Sequence, residues 1–247
     1  MQFLYKDISI NYVFENNKSK INLVFLHGWG QNIEMMQPIA KPFNKKYNTL
    51  ILDLPGFGSS DEPKTEWDLE DYVLMLNNLL KELKIKNPIL IGHSFGGKIS
   101  LLYASKYKVD KLVLLASPYK VKEKKDTLKK KILRSMKKIP ILNKLESFAK
   151  NHMGSTDYRN ASPMMKKILV KHVNTDLRNE AQKISCPTLL IWGTKDAAVD
   201  YEDAKELEMI ISNCGLVTYE GATHYAYLER LGQTINVLKS FIGDDNN

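Results

Sequence analysis

The sequence is poor in cysteine and has no long apolar run. Cys186 and Cys214 are its two cysteines among 247 residues, and no C-x-x-C pair occurs. This excludes a disulfide-dense scaffold and a cysteine-based zinc site, and we expect two buried thiols. No stretch approaches the roughly 18 apolar residues of a membrane span. Residues 1–14 lack the basic start, apolar core and cleavage site of a signal peptide, so we expect a cytoplasmic protein.

Most of the chain carries no excess of basic over acidic residues. Lys and Arg together number 36 against 28 Asp and Glu, a net charge of +8. Residues 119–150 hold twelve of the basic and three of the acidic residues, a balance of +9, which leaves −1 for the remainder. A nucleic-acid binding protein would spread basic residues more widely and interleave them with aromatic ones, so we expect no nucleic-acid partner.

The remaining composition is that of a folded globular protein. Hydrophobic residues make up 43% and charged residues 26%, which excludes a disordered chain, a collagen-like repeat and a coiled coil. At about 150 residues per domain, the length corresponds to between one and two domains. One core with an inserted subdomain fits this length.

Short apolar runs bounded by turn residues predict strands that are buried on both faces. Eight such runs lie at residues 3–5, 8–14, 22–26, 49–52, 89–91, 111–115, 188–192 and 216–219. Helical apolar spacing occurs at residues 69–83, with Asp68 as N-cap, and again at residues 228–242. The alternation predicts βαβ crossovers in a mostly parallel eight-stranded sheet with an antiparallel entry.

The strand pattern stops after the sixth run. The pattern of residues 118–181 predicts helices, with breaks at Pro140 and at residues 154–163. The strand pattern resumes after Cys186–Pro187. We therefore predict a core of residues 1–117 and 182–247 with a helical cap, residues 118–181, inserted after the sixth strand. The cap would cover the pocket, and its candidate lining residues are Phe148, Met153, Met164 and Met165.

The cap also carries the basic charge, in a predicted helix at residues 122–138. A solvated helix face is the favoured interpretation. The alternatives are recognition of an anionic substrate or of an acidic carrier protein, and attraction to a membrane surface.

The most informative segment is Gly92-His93-Ser94-Phe95-Gly96, a G-x-S-x-G motif after an apolar strand and before a helix. A sharp reversal between strand and helix forces the central residue into strained backbone geometry, which requires small residues on both sides. The central side chain then projects above the sheet, next to the positive end of the helix. Ser94 is therefore the candidate nucleophile.

A serine nucleophile needs a base and an oriented acid. Of the five histidines, His224 follows the last strand and precedes the last helix, where a loop can reach the carboxyl ends of the strands. Asp196 also follows a strand, and its competitors Asp200 and Glu202 fit better as caps of the next helix. We predict Ser94, Asp196 and His224 as a triad.

The other histidines have different expected roles. His27 is expected to hydrogen-bond within its loop, and His93 to pack or to shape the pocket. His152 and His172 fall in the insertion and are expected at the surface or in the cap. In His27-Gly28-Trp29-Gly30 the glycines allow the backbone to approach a substrate closely. The amides of Trp29 and Phe95 are the candidate pair of oxyanion donors, and the Trp29 side chain a candidate substrate contact.

With these segments assigned, the chain resembles the α/β-hydrolase superfamily. The resemblance rests on HGWG, on residues 53–60 (DLPGFGSS), on GHSFGG, on WGTKD and on GATHYAYLE, which occur in this order over nearly the whole chain. The first three also resemble the carboxylesterase branch that includes pimeloyl-carrier-protein methyl ester esterases. The resemblance implies the Ser94–Asp196–His224 triad, a backbone oxyanion hole at Trp29 and Phe95, a helical cap, and no metal or cofactor.

Two details qualify the resemblance. Relatives often carry a proline a few residues after the acid, but here Ala197-Ala198-Val199 follows, which keeps Asp200 open as the acid. Serine at the centre of the G-x-S-x-G motif argues against the dehalogenase and epoxide hydrolase branches of the superfamily, which use aspartate at that position.

The residues thus predict a serine hydrolase that cleaves a carboxylic ester of a small to medium acyl substrate. Hydrolysis of a carbon–carbon bond next to a ketone, or of a thioester, is open to the same groups. A ligand-binding protein with little turnover is the alternative of another class.

Overall fold

The computed structural model describes residues 1–121 and 161–243, and these residues form an eight-stranded sheet with helices on both faces. The strands are β1 (Gln2–Tyr5), β2 (Ile8–Glu15), β3 (Asn22–Leu26), β4 (Asn48–Leu52), β5 (Ile89–His93), β6 (Lys111–Leu115), β7 (Thr188–Gly193) and β8 (Cys214–Tyr219). The described helices are α1 (Ile33–Ala40), α2 (Leu69–Glu82), α3 (Phe95–Ala104), α4 (Pro163–Val173), α5 (Arg178–Ala181), α6 (Tyr201–Ile210), α7 (Ala226–Glu229) and α8 (Leu231–Ile242). A short 3-10 helix, Lys41–Phe43, follows α1.

The sheet order is β1-β2-β4-β3-β5-β6-β7-β8. The β1–β2 and β2–β4 pairs are antiparallel, and all pairs from β4 to β8 are parallel. This confirms the mostly parallel sheet and its antiparallel entry. Parallel strands end at one edge of the sheet, so the loops that follow β3, β5, β7 and β8 emerge on the same side.

The central strands are buried on both faces because helices cover both sides of the sheet. In β3, Val24 and Leu26 belong to one core cluster, whereas Leu23 and Phe25 belong to the other. Because successive side chains of a strand enter a core on either face of the sheet, the sequence shows continuous apolar runs rather than apolar residues at every second position.

The helix starts follow capping chemistry. The carboxylate of Asp68 accepts hydrogen bonds from the N–H groups of Glu70 and Asp71, as predicted for the N-cap of α2. The predicted C-terminal helix is in fact two helices, because Arg230 (φ −116°, ψ 42°) interrupts it between α7 and α8.

The thiols of Cys186 and Cys214 are half-buried, so the expectation of two buried thiols was wrong.

The insertion leaves the sheet after β6 and returns at β7. These strands are parallel neighbours, with Leu112 opposite Thr188. Residues 161–181 contain α4 and α5. The candidate lining residues Phe148 and Met153, and the predicted basic helix at residues 122–138, lie outside the described residues. None of the described helices is long and apolar enough to cross a membrane.

Candidate active site

Ser94 occupies the turn between β5 and α3 with φ 50° and ψ −110°, a backbone conformation that L-residues rarely adopt. The turn is too tight for side chains on its flanks. A Cβ at Gly92 would lie 2.5 Å from the carbonyl oxygen of Gly96, and a Cβ at Gly96 would lie 2.4 Å from that of Leu26. These distances explain the G-x-S-x-G spacing, and they leave Ser94 half-buried at the end of the sheet.

Backbone hydrogen bonds hold this turn to its neighbours. The Ser94 N–H donates to the carbonyl of Leu115 at the end of β6 (2.9 Å). The Gly96 N–H donates to the carbonyl of His27, directly after β3 (3.0 Å). The nucleophile candidate is therefore supported by the strands on both sides of β5.

The two other triad candidates are in contact. His224 Nδ1 lies 2.8 Å from Asp196 Oδ2, and the Asp196 side chain is wholly buried. The second oxygen of Asp196 accepts the N–H groups of Ala198 (2.8 Å) and Val199 (2.9 Å). With Nδ1–H donating to the carboxylate, Nε2 of His224 is left as the basic nitrogen.

The loops that carry these two residues approach closely. The Lys195 N–H donates to the carbonyl of Ala222 (2.9 Å), and a Cβ on Gly193 would lie 2.2 Å from that carbonyl oxygen. Glycine at the end of β7 thus permits the approach. Asp200, the alternative acid, is the N-cap of α6 and accepts the Glu202 N–H (3.1 Å).

His93 connects the His224 loop to the serine turn. Its Nε2 donates to the carbonyl of His224 (3.1 Å), and the two imidazole rings are 4.8 Å apart. His93 is fully buried, which lowers its pKa to about 3 and keeps it neutral. The Ser94 hydroxyl has no hydrogen-bond partner among the described residues. The structure therefore brings Asp196 and His224 into contact, but it shows no hydrogen bond between His224 and Ser94. Such contacts are often long without a substrate and tighten when it binds.

The side chains of the two residues that carry the candidate oxyanion donors are in contact. The rings of Trp29 and Phe95 pack edge to face, 5.2 Å apart. Phe95 is the first residue of α3, where N–H groups lack partners within the helix. Within the described part of the chain, neither amide donates a hydrogen bond. Both amides remain candidates for binding an anionic oxygen.

The comparisons with known proteins identify the family. A family model described as the alpha/beta hydrolase fold matches residues 21–150, more than half of the chain. The chain belongs to the α/β-hydrolase family. A second model, described as TAP-like protein, matches residues 157–242 of this hydrolase.

Individual relatives of the hydrolase are distant but extend over most of its length. Lipase 1 of Psychrobacter immobilis is 27% identical over 93% of this chain and 79% of its own. Pimeloyl-[acyl-carrier protein] methyl ester esterase of Aliivibrio fischeri is 24% identical over 90% of this chain and 93% of its own. The solved structure of an esterase from Exiguobacterium antarcticum has a TM-score of 0.72 at 23% identity, covering 96% of this chain and 95% of that one.

Two polar residues of the hydrolase hold the surrounding loops. His27 Nδ1 donates to the Gly28 carbonyl (2.7 Å) and Nε2 accepts the Leu54 N–H (2.9 Å), and burial lowers the pKa of His27 to about 4. This confirms its expected structural role. Asp53 accepts the N–H groups of Ile33 and Ser59, each at 2.8 Å. Sequence reasoning missed this role, although Asp53 opens the quoted DLPGFGSS motif.

His172 was expected at the surface or in the cap, and sequence reasoning did not foresee its burial. It is 7% exposed rather than at the surface. Its ring stacks on Trp29 with centroids 6.0 Å apart and contacts the ring of Phe95 edge to face at 4.4 Å. The signal was present in the sequence, because Met165, Ile168, Leu169 and His172 share the buried face of α4 at helical spacing.

The remaining candidate substrate contacts differ in how deeply their side chains are buried. Trp29 is half-buried among aromatic rings, including that of Phe57 at 4.9 Å. Met164 is partly buried against the core. Met165 is buried beside Gly56, where an added Cβ would lie 2.4 Å from its sulfur. Met165 thus packs α4 onto the loop that follows β4.

Proposed function

We propose that this hydrolase is a serine carboxylesterase that cleaves esters of small to medium acyl groups, a small-molecule substrate class. The observation that carries the proposal is the 2.8 Å contact between His224 and the buried carboxylate of Asp196. The backbone of His224 is in turn hydrogen-bonded to His93, the residue before Ser94. Relatives named as a lipase and as a methyl ester esterase support ester hydrolysis.

The acylation half of the reaction uses groups of this chain alone. The Ser94 hydroxyl attacks the ester carbonyl carbon while His224 Nε2 accepts its proton. The N–H groups of Trp29 and Phe95 stabilise the negative oxygen that develops. The Asp196 carboxylate stabilises the imidazolium, which then protonates the departing alcohol.

Deacylation follows the same route in reverse. A water molecule gives its proton to His224 Nε2 and attacks the acyl-Ser94 carbonyl. Collapse of the second tetrahedral intermediate returns the proton to Ser94 and releases the acid.

Labelling with a fluorophosphonate probe tests the nucleophile. We expect the wild type to label and the Ser94→Ala variant to remain unlabelled. We also expect His224→Ala to lower kcat by at least about 10³-fold with an unchanged melting temperature. A folded wild type that never labels would favour the ligand-binding alternative, and a kcat loss under about tenfold would mean that another base acts.

Substrate choice requires a panel. The same groups can cleave a thioester or a carbon–carbon bond next to a ketone, so p-nitrophenyl esters of graded chain length should be compared with thioesters and diketones. Esters are expected to give the highest kcat/KM. A higher value for either other class would replace the carboxylesterase assignment.

An acidic carrier protein is a second partner that we propose for the basic segment. Residues 119–150 carry a balance of +9, which would attract an acidic surface. Reversing several of these lysines should lower kcat/KM for a carrier-linked ester and weaken its salt dependence. Unchanged kinetics would leave a solvated surface as the role of this charge.

A further inference from the structure

His172 brings an imidazole from the inserted segment to the two candidate oxyanion residues. Its ring contacts the side chains of both Trp29 and Phe95. An acyl group bound to Ser94 would have its carbonyl oxygen at the amides of these same two residues. The His172 ring therefore packs on the side chains of the two residues whose amides would hold that oxygen.

Lys98 holds this ring in position from the core. Its side chain is buried in α3, and Nζ donates to the carbonyls of His172 (2.8 Å) and Thr175 (2.6 Å) at the end of α4. A cation at this end of a helix meets carbonyls that lack partners within the helix. The helix that carries His172 is thus attached to the helix that begins at the serine turn.

One nitrogen of this imidazole lacks a partner among the residues that the structure describes. His172 Nδ1 is buried, and no group of residues 1–121 or 161–243 forms a hydrogen bond with it. An unpaired buried polar atom is destabilising, and a phenyl ring would fill much of the same space without that cost. Packing alone therefore does not account for a histidine at this position.

The histidine is also held in its neutral form. Burial, and secondarily the charge of Lys98, lower the pKa of His172 well below its ordinary value. A neutral imidazole suits an uncharged oxygen as its partner. Because Nδ1 is buried, an acyl oxygen reaches it only when the groups around it move on substrate binding, and the hydrogen bond then formed has little competition from solvent.

We propose that His172 is a specificity-determining residue that hydrogen-bonds a hydroxyl or keto oxygen on the acyl chain, close to the ester carbonyl. The inference rests on the proposed esterase function. It predicts that the hydrolase prefers oxygen-bearing acyl groups over plain alkyl acyl groups of equal length.

The test compares p-nitrophenyl 3-hydroxybutanoate and 3-oxobutanoate with p-nitrophenyl butanoate, so that the leaving group is constant. The measured quantity is the ratio of kcat/KM for each oxygenated ester to that for the plain ester. We expect a wild-type ratio above one and a decrease of about tenfold in the His172→Phe variant. The variant should fold with a melting temperature equal to or above that of the wild type, since it removes the unpaired nitrogen.

The His172→Asn variant is the matched control, because its amide retains a hydrogen-bonding group near the position of Nδ1. It should retain part of the preference. A wild type that labels at Ser94 but shows no preference would overturn this inference alone, as would a His172→Phe variant that keeps the ratio. A wild type that neither labels nor hydrolyses any ester would overturn the proposed function together with it.

Discussion

The carbonyl of His224 accepts a hydrogen bond from the imidazole of His93, across 131 residues of sequence. His93 directly precedes Ser94, so this bond fixes the loop of the proposed base to the turn of the proposed nucleophile. The buried Asp196 carboxylate fixes the same histidine through its side chain. His224 is therefore held at both its backbone and its ring.

The His93 bond can be tested by substitution. We expect His93→Leu to lower the free energy of unfolding by about 1–3 kcal/mol, because the His224 carbonyl loses its donor in a buried place. It should also lower kcat more than it raises KM, since the base is displaced from Ser94. In His93→Gln the side-chain amide can still donate, so this control should retain most of the activity. Equal losses in both variants would contradict the role of the bond.

The choice of acid gives a second prediction. In Asp196→Asn, the amide oxygen can keep the N–H groups of Ala198 and Val199, which turns the NH₂ group toward His224 Nδ1. That nitrogen must then accept, Nε2 carries the proton, and kcat should fall by about 10³–10⁴-fold with the fold intact.

Asp200→Asn is the control for this variant. Asn is as good an N-cap as Asp, so α6 should keep its first turn and kcat should change less than twofold or so. Steady-state kinetics and thermal unfolding of both variants provide the comparison. A larger loss of kcat in Asp200→Asn would make Asp200 the acid.

Acid sensitivity follows from the buried histidines. His27 and His93 have pKa values lowered to about 4 and about 3, from 6.5, because burial disfavours the cation. The unfolded chain binds more protons below pH 6.5, so stability is fully present above that pH and is lost as the pH falls toward 4. Each group contributes up to about 1.4 kcal/mol per pH unit in this range.

Urea unfolding at pH 7 and pH 4.5 measures this loss. His93→Gln removes one of the buried histidines with a lowered pKa, a set that also includes His172, so its free energy of unfolding should fall less between these pH values than that of the wild type. Parallel losses in the two proteins would mean that His93 takes up no extra proton on unfolding.

The fourth prediction concerns the lack of space for a side chain at Gly96 in the serine turn. A methyl group at Gly96 would lie 2.4 Å from the backbone oxygen of Leu26, which cannot move without disturbing β3. We expect Gly96→Ala to lower the free energy of unfolding by about 3 kcal/mol or more and to abolish labelling of Ser94. Gly215→Ala is the control, since nothing lies within 4 Å of its added Cβ, and it should change stability by less than about 1 kcal/mol. Similar stability of the two variants would contradict the argument.

Local chemistry made several features predictable from the sequence. The apolar runs correspond to eight strands because helices on both sheet faces require apolar side chains on both sides of a strand. Asp196 and His224 each follow a strand, and parallel topology brings such positions to one edge. The order of the strands did not follow from these patterns, since the place of β3 between β4 and β5 depends on long-range packing.

Other features depend on contacts that single segments do not reveal. The interruption at Arg230 falls within continuous apolar spacing, so periodicity alone joins α7 to α8. His172 lies at a helical-core spacing, but its polar character suggested exposure. Its partners Trp29 and Phe95 are far away in the chain, and only the fold brings them together.

The insertion begins after β6, and its two ends meet where the Leu177 N–H donates to the carbonyl of Tyr119 (2.7 Å). An exchange of this segment for that of another family member could be joined at this contact, which lies outside β6 and β7. Lys98 and its two carbonyl partners would be the junction to preserve or to redesign. Chimeras built at these positions would measure whether acyl selectivity follows the inserted segment.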